Sequence, residues 1–315
     1  MSQDRPFGAF CLVGMGAHAR TKLLPALQAS GQVIAGVVSK TFAEPGMRVF
    51  AELDEALDAL PRETVFFIAS PPAAHYAQSK AILARGFDLF VEKPAFLFPD
   101  EAEEIAALAD AQGAVLAEAM MYRHAVLYAR LLDHWGRNRD RIRALALTFV
   151  IDRMPAGTFR LEDGMAASST YDIGCYPVSL LADLGLGEAA IAVTGVDHPG
   201  ARDRERVHAA GEGGTVSFTL DYGVAPAYAN TVTVVHDGGE TATFSPFFYG
   251  RPGERRIVTA AGAETVEEAN SFETMLRRPR REWLAEQGER NRRMAAVTGK
   301  LWALASAVAA FGKSP

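Results

Sequence analysis

The chain has 315 residues, 49% of them hydrophobic and 22% charged, and carries a net charge of −6. That composition excludes a disordered chain, and the negative balance argues against a nucleic-acid or anionic-membrane partner. Two cysteines, Cys11 and Cys175, make neither a disulfide framework nor a metal-ligand spacing, so no metal site is expected.

In chain order, FGAFCLV (Phe7–Val13) reads as a strand and Ala17–Ser30 as a helix stopped by Gly31. Val33–Val38 and Thr64–Ser70 read as strands, and Ala73–Arg85 as a helix ending at Gly86. Phe87–Lys93 is the next strand, Pro99–Gln112 a helix, and Ala114–Ala119 the last strand of the series. These strands are continuous apolar runs, which means burial on both faces, as in a parallel sheet covered by helices on each side. After about residue 120 the pattern changes. A helix is expected over Ala125–Trp135, then alternating segments: ALALTFVID, AIAVTGVD, RVHAAGE, TVSFTLDYG, NTVTVVHDGGETATF and RRIVTAAG. Asp237-Gly238-Gly239 between two β-rich runs signals a hairpin. Two helices close the chain, Val266–Arg278 and Glu282–Phe311, the second with an apolar stripe through Trp283, Leu284, Met294, Val297, Leu301 and Leu304.

The fold class is therefore α/β. An N-terminal Rossmann doubly wound parallel sheet spans residues 1–121. An α+β domain with a large, mostly antiparallel sheet spans 122–315, its last helix able to pack back on the first domain. The one-faced second sheet predicts a homodimer or homotetramer with that sheet as interface. The apolar stretch after Arg5 is not read as a secretory leader, because Asp4 adjoins its single basic residue and glycines interrupt it. No run of about 18 apolar residues exists, so no membrane span is expected. Reduced core thiols suit the cytoplasm.

The stretch VGMGAHARTKLLPAL raises the question of a ligand. Gly14, Gly16 and Ala19 stand at G-x-G-x-x-A spacing between a buried strand and a helix. In a dinucleotide site Gly14 makes the tight turn, Gly16 lets the backbone approach a pyrophosphate, and Ala19 permits close helix–sheet packing. The helix N-terminus, with Ala17 and His18, adds N–H groups and a positive dipole end. The alternative is a glycine turn with no ligand. At the end of the second strand, where an NAD site places Asp or Glu, the chain has Ser39-Lys40-Thr41. One ammonium and two hydroxyls suit a 2′-phosphate, which favours NADP(H) with NAD(H) possible. The alternative is a solvated Lys40, with Glu44 taking the ribose.

Two further stretches carry chemistry: SPPAAHYAQSKAILARGFDLFVEKPAF (Ser70–Phe96) and STYDIGCYPVSLLADLG (Ser169–Gly185). VEKP ends a buried strand at the carboxyl edge, where open α/β sheets bind ligands. An ammonium at Lys93, beside Glu92, can hydrogen-bond a substrate hydroxyl and stabilise a developing alkoxide; the plain alternative is a rim lysine in a turn. Asp172 and Tyr176 stand four apart, and Pro177 points to a helix entry there and not a helix interior. A tyrosine near a lysine is a sensible proton carrier; the alternative is a capping aspartate and a core tyrosine.

Together the glycine loop, VEKP, PP-x-x-H and D-x-G-x-Y make the sequence resemble the Gfo/Idh/MocA family of pyridine-nucleotide oxidoreductases over most of its length. The resemblance implies that Lys93 is the catalytic lysine, often in a cis Lys-Pro bond, and that Asp172 and Tyr176 match the second-domain motif. It implies that Ser70, Pro71 and Pro72 shape the nicotinamide face of the pocket and that Arg123 lies near the substrate mouth. His18 is read as a phosphate contact or a solvated side chain, and His75 as a first-turn helix residue beside the cofactor. One departure stands out: many members carry GGG before the aspartate, where this chain has Ala166-Ala167-Ser168-Ser169-Thr170-Tyr171. The expected activity is hydride transfer between the nicotinamide and a hydroxyl-bearing carbon of a small molecule, a sugar, cyclitol or polyol. The rival readings are a cofactor-binding sensor without turnover and an NAD-dependent glycoside hydrolase of the same fold.

Overall fold

A computed structural model describes residues 7–154, 165–198 and 205–311; Asp4 and Arg5, used in the leader reading, lie outside them. The chain divides into two compact units. One runs through Met121 and includes Phe272–Ala295; the other comprises Tyr122–Ser271 and the residues from Ala296 onward. Residues 272–295 thus return to the first unit, and the division is discontinuous in sequence.

The first unit holds a six-stranded sheet built from β1 (Ala9–Val13), β2 (Val33–Val38), β3 (Val49–Phe50), β4 (Thr64–Ile68), β5 (Asp88–Val91) and β6 (Leu116–Glu118). Their spatial order is β3-β2-β1-β4-β5-β6, and every pairing is parallel. All five residues of β4 are buried, the mark of a strand covered on both faces. The strand order reverses between β2 and β4, so the crevice at the carboxyl end of β1 is the topological switch point. The chain leaves β1 through a π-turn, Ala19–Leu23, that runs into α1 (Leu24–Ala29). Helices α2 (Leu53–Ala59), α3 (His75–Ala84) and α4 (Pro99–Gln112) fill the other crossovers. The short β3 and the polar α2 were not foreseen.

In the second unit, α5 (Val126–Arg137) precedes β7 (Ile142–Ile151). After a short helix α6 (Ser169–Asp172) and α7 (Cys175–Asp183) come β8 (Ala190–Asp197), β9 (Arg206–Gly213), β10 (Val216–Val224), β11 (Ala229–His236), β12 (Thr241–Ser245), β13 (Gly253–Thr259) and β14 (Gly262–Glu268). They form an eight-stranded sheet of order β14-β13-β12-β11-β7-β10-β9-β8. It is antiparallel except for β7 and β10, which run parallel. Gly238 and Gly239, both at positive φ, make the predicted hairpin turn between β11 and β12.

Two expectations for the C-terminal segment need correction. Val266–Glu268 belongs to β14, held in register by β13 across a tight turn, and the helix starts later as α8 (Ser271–Leu276). The last helix is broken at Glu286 into α9 (Arg280–Ala285) and α10 (Gln287–Phe311). Its 25 residues make α10 the one described helix long and apolar enough, by length and composition alone, to cross a membrane. Met294, Val297, Leu301 and Leu304 on it are nevertheless buried in protein as a one-sided stripe.

Candidate active site

Within the first unit, the ends of β1, β2, β4 and β5 meet through backbone. Gly14 has φ +90°, and a Cβ on it would stand 2.8 Å from Ser70 N. The turn after β1 therefore needs glycine twice over, for its dihedral and for the close approach of the β4 end. Gly14 N–H also donates to Val38 O at the end of β2 (3.0 Å). Gly16 is different: a Cβ there would meet nothing within 4 Å. Ala19 is fully buried where the helix packs on the sheet. Ala17 O accepts the Thr21 hydroxyl at 2.8 Å.

The His18 side chain is 39% exposed and engaged on one side. Its Nε2 lies 3.0 Å from Glu92 Oε1, and its ring meets Phe272 edge-on at 5.7 Å. The second Glu92 oxygen accepts the Lys93 N–H (3.3 Å). Burial pushes the Glu92 carboxyl up, but His18, aided by Lys93 and His75, holds it below the ordinary carboxylate value. The Lys93–Pro94 bond is cis, as the resemblance implied. Ala95 N–H is held by Glu118 Oε1 at 3.0 Å.

After β2, Ser39 Oγ accepts the N–H groups of Thr41 and Phe42 (3.3 and 3.2 Å), closing a turn. The Lys40 ammonium lies 2.8 Å from Glu52 Oε1, both side chains exposed, and this hydrogen bond raises the Lys40 pKa. Glu52 is also the N-cap residue of α2, where Glu55 Oε2 accepts the Ala51 and Glu52 N–H groups (3.0 and 3.4 Å). No expectation included Glu52; the E-x-x-E pattern of a capping box was the available signal.

After β4, Ser70 Oγ donates to Gln78 Oε1 (2.6 Å), Pro71 is exposed and Pro72 is buried. His75 must be corrected as a cofactor contact. It is 0% exposed, and its ring nitrogens face backbone carbonyls: Nε2 to Ser70 O (2.9 Å), Nδ1 to Pro94 O and Ala95 O (3.1 Å each). Burial lowers its pKa, and the carbonyls of Ser70, Ala95 and Pro94 together with Glu92 oppose this only in part.

In the second unit, Asp172 ends α6 and Tyr176 lies in the first turn of α7, so a break at Ile173–Gly174 separates them. Gly174 has no room for a side chain, since a Cβ would come within 2.7 Å of both Thr170 O and the Tyr222 ring. Tyr176 packs in an aromatic wall, its ring 5.1 Å from Phe149, 5.8 Å from Phe248 and 6.1 Å from Tyr122. Asp172 is buried too. In the altered segment, Ser169 Oγ donates to Glu205 O (2.6 Å) and Thr170 Oγ1 pairs with Tyr222 OH (3.1 Å). Those hydroxyls tie the segment to β10 and to the residue before β9. Arg123 is anchored by Nε to Asp183 Oδ2 (2.9 Å), which also accepts from Tyr122 OH (3.0 Å). Asp183, Glu205 and Tyr222 were not foreseen.

Residues 9–120 match the family model described as an oxidoreductase family with an NAD-binding Rossmann fold, Gfo/Idh/MocA. Among curated relatives, D-xylose 1-dehydrogenase (NADP(+)) 2 of Haloferax volcanii is 28% identical over 182 residues, 55% of each chain. The dTDP-3,4-didehydro-2,6-dideoxy-alpha-D-glucose 3-reductase of Streptomyces antibioticus is 29% identical over 137 residues, 43% of this chain and 40% of that one. The chain thus spans about half the length of the curated relatives it matches. The fold matches a 3-ketoreductase from Actinomadura kijaniata in complex with NADP and TDP-benzene. There the TM-score is 0.77 at 19% identity, covering 97% of this chain and 98% of that one. It also matches a UDP-N-acetylglucosamine 3-dehydrogenase from Acidithiobacillus ferrooxidans, TM-score 0.75 at 18% identity, covering 96% and 98%.

Proposed function

We propose that this chain, whose residues 9–120 match the Gfo/Idh/MocA family model, is an oxidoreductase acting on CH–OH groups. It moves a hydride between a nicotinamide and a hydroxyl- or carbonyl-bearing carbon of a sugar, cyclitol or related polyol, with NADP(H) preferred. The observation that carries this reading is the meeting, at one sheet edge, of a glycine loop with open space at Gly16 and the Glu92–Lys93 turn. The sugar substrates and the NADP in the names of the relatives support the substrate class and the cofactor.

The residues present fit a dinucleotide. Gly14, Gly16, Ala17, His18 and Ala19 would hold the pyrophosphate; Ser39, Lys40 and Thr41 the ribose phosphate; Ser70, Pro71, Pro72, Glu92 and Lys93 the nicotinamide end. When bound, the cofactor supplies or accepts the hydride, chemistry that no side chain provides. Lys93 donates a hydrogen bond to the substrate oxygen and stabilises negative charge developing there. Tyr176 gives or takes the hydroxyl proton, and Asp172 and Arg123 orient the substrate. Lys93→Ala and Tyr176→Phe are expected to lower turnover about 10²–10⁴-fold while leaving NADPH affinity nearly intact. Wild-type turnover in either variant removes that residue from the mechanism.

One observation favours NAD(H) as the second cofactor reading: the Lys40 ammonium that would meet a 2′-phosphate already pairs with Glu52. Titration with NADPH and NADH, read by cofactor fluorescence, separates the two. We further propose a homodimer or homotetramer through the second-unit sheet. One face of that sheet carries Ala144, Ala146, Thr148, Thr231, Thr233 and Thr243, none fully buried in the single chain. Sedimentation of wild type and Thr233→Arg tests this, since a charge at the centre should split the oligomer. Both cysteines are buried thiols, which fits a cytoplasmic location.

A further inference from the structure

His75 is a fully buried polar side chain beside the turn that bears Lys93. Its ring is sealed from solvent, and each nitrogen faces only carbonyl oxygens, which accept and never donate. Every polar contact it makes must therefore come from a ring N–H. A neutral ring has one N–H and serves one side at a time; a protonated ring serves both. The two sides belong to different strand ends. Ser70 opens the Pro71–Pro72 loop after β4, and Pro94 and Ala95 directly follow Lys93 after β5. The same turn is gripped from elsewhere: Glu92 takes the Lys93 N–H and is itself held by His18, and Glu118 takes the Ala95 N–H. Lys93 thus sits on a backbone held on both flanks, with the His75 ring on the carbonyls of Pro94 and Ala95.

We infer that His75 is a positioning residue for Lys93. Its ring N–H bonds the Pro94 and Ala95 carbonyls of the turn that follows Lys93, so that the ammonium is presented at a fixed place. This rests on the reading of Lys93 as the group that meets the substrate oxygen. A misplacement of about 1 Å from a change outside the chemistry costs about 10²-fold in rate, so the bond matters to turnover well beyond its share of stability.

Three variants divide the contacts. His75→Asn places an amide near the Nδ1 position and keeps the Lys93 side. His75→Gln reaches the Nε2 position and keeps the Ser70 side. His75→Leu keeps bulk and removes both. The chain has six lysines, so reductive ¹³C-methylation gives a short lysine spectrum in which the Lys93 signal is assigned by its loss in Lys93→Arg. The expected result is a displaced Lys93 signal and a kcat about 10²-fold lower in the Leu and Gln variants, with KM and NADPH Kd within about threefold of wild type. The Asn variant should stay near wild type in both. A folded Leu variant with the wild-type Lys93 signal and kcat overturns the inference. So do Asn and Gln variants whose losses are equal and merely follow their melting temperatures. If Leu fails to fold, the Asn–Gln contrast decides. If wild type turns over no sugar or polyol, the oxidoreductase reading fails by itself, and the lysine spectrum still decides the role of His75.

Discussion

The two glycines of the first loop offer a sharp separation of folding from binding. At position 14 an alanine Cβ would stand 2.8 Å from Ser70 N and 2.9 Å from Ser70 Cα, at φ +90°. Positive φ costs an L-residue about 1–2 kcal/mol, and overlap with the β4 end adds about 1–3 kcal/mol, so Gly14→Ala should destabilise by about 2–5 kcal/mol. For a unit of this size that is a Tm lower by roughly 4–20 °C. At position 16 the same methyl meets nothing within 4 Å, and the residue is not among the positive-φ glycines. Gly16→Ala should therefore keep or gain stability, by about 0.4–1 kcal/mol through the unfolded chain. If a pyrophosphate lies against that backbone, the methyl occupies its place, and NADPH affinity should fall at least about tenfold, or about 1.4 kcal/mol. Thermal unfolding by circular dichroism and an NADPH fluorescence titration measure the two effects separately. A Gly16→Ala protein that folds as predicted and binds NADPH as tightly as wild type would refute the dinucleotide reading of the loop.

Glu52→Gln frees Lys40 from its carboxylate partner, and NADPH affinity should rise severalfold relative to NADH; an unchanged ratio takes Lys40 out of the cofactor site. Gly174→Ala forces a Cβ against Thr170 O and the Tyr222 ring, and should lower stability by about 1–3 kcal/mol, read by urea unfolding. Burial lowers the pKa of His75 and, with His236 adding, that of His134. The unfolded chain then binds more protons below the ordinary histidine value of about 6.5, so stability is full above it and falls as pH drops toward the folded pKa values. The depressed Glu92 carboxyl acts in the same direction at lower pH. Urea midpoints should therefore decline from pH 7 to pH 5, and His134→Gln should flatten the slope; a midpoint that rises on acidification contradicts these shifts.

What could be read before the fold was known follows from periodicity and glycine chemistry. The continuous apolar runs at Thr64–Ile68 and Asp88–Val91 announced a doubly covered parallel sheet, and the spacing of Gly14, Gly16 and Ala19 announced the switch-point loop. β3 has only two residues, too few for any period. Only Val266 and Glu268 of β14 are buried, so its strand state comes from its hairpin partner and not from its own pattern. At the candidate site the illegible part is the set of partners. His75 answers to three backbone carbonyls, which leave no mark on the residues that own them. Lys40–Glu52 and Arg123–Asp183 join residues 12 and 60 apart, whose pairing depends on which strand ends the crossovers bring together.

The segment 272–295 shows how far such partners reach. β6 is the edge of the six-stranded sheet, with unpaired backbone on its outer side. Gln287 Oε1 accepts the Leu116 N–H (3.2 Å), and Arg290 donates to Leu116 O (3.1 Å), so two side chains of α10 do for that edge what a seventh strand would do. Arg280 forks onto Asp88 at the start of β5, and Gln287 and Asn291 share Asp110 of α4. Phe272, at the head of the same segment, meets the His18 ring that holds Glu92. The closing helices therefore seal the sheet edge and touch the loop that bears the glycines. The loop at residues 14–19 thus has a ring contact with a residue more than 250 positions away in the chain.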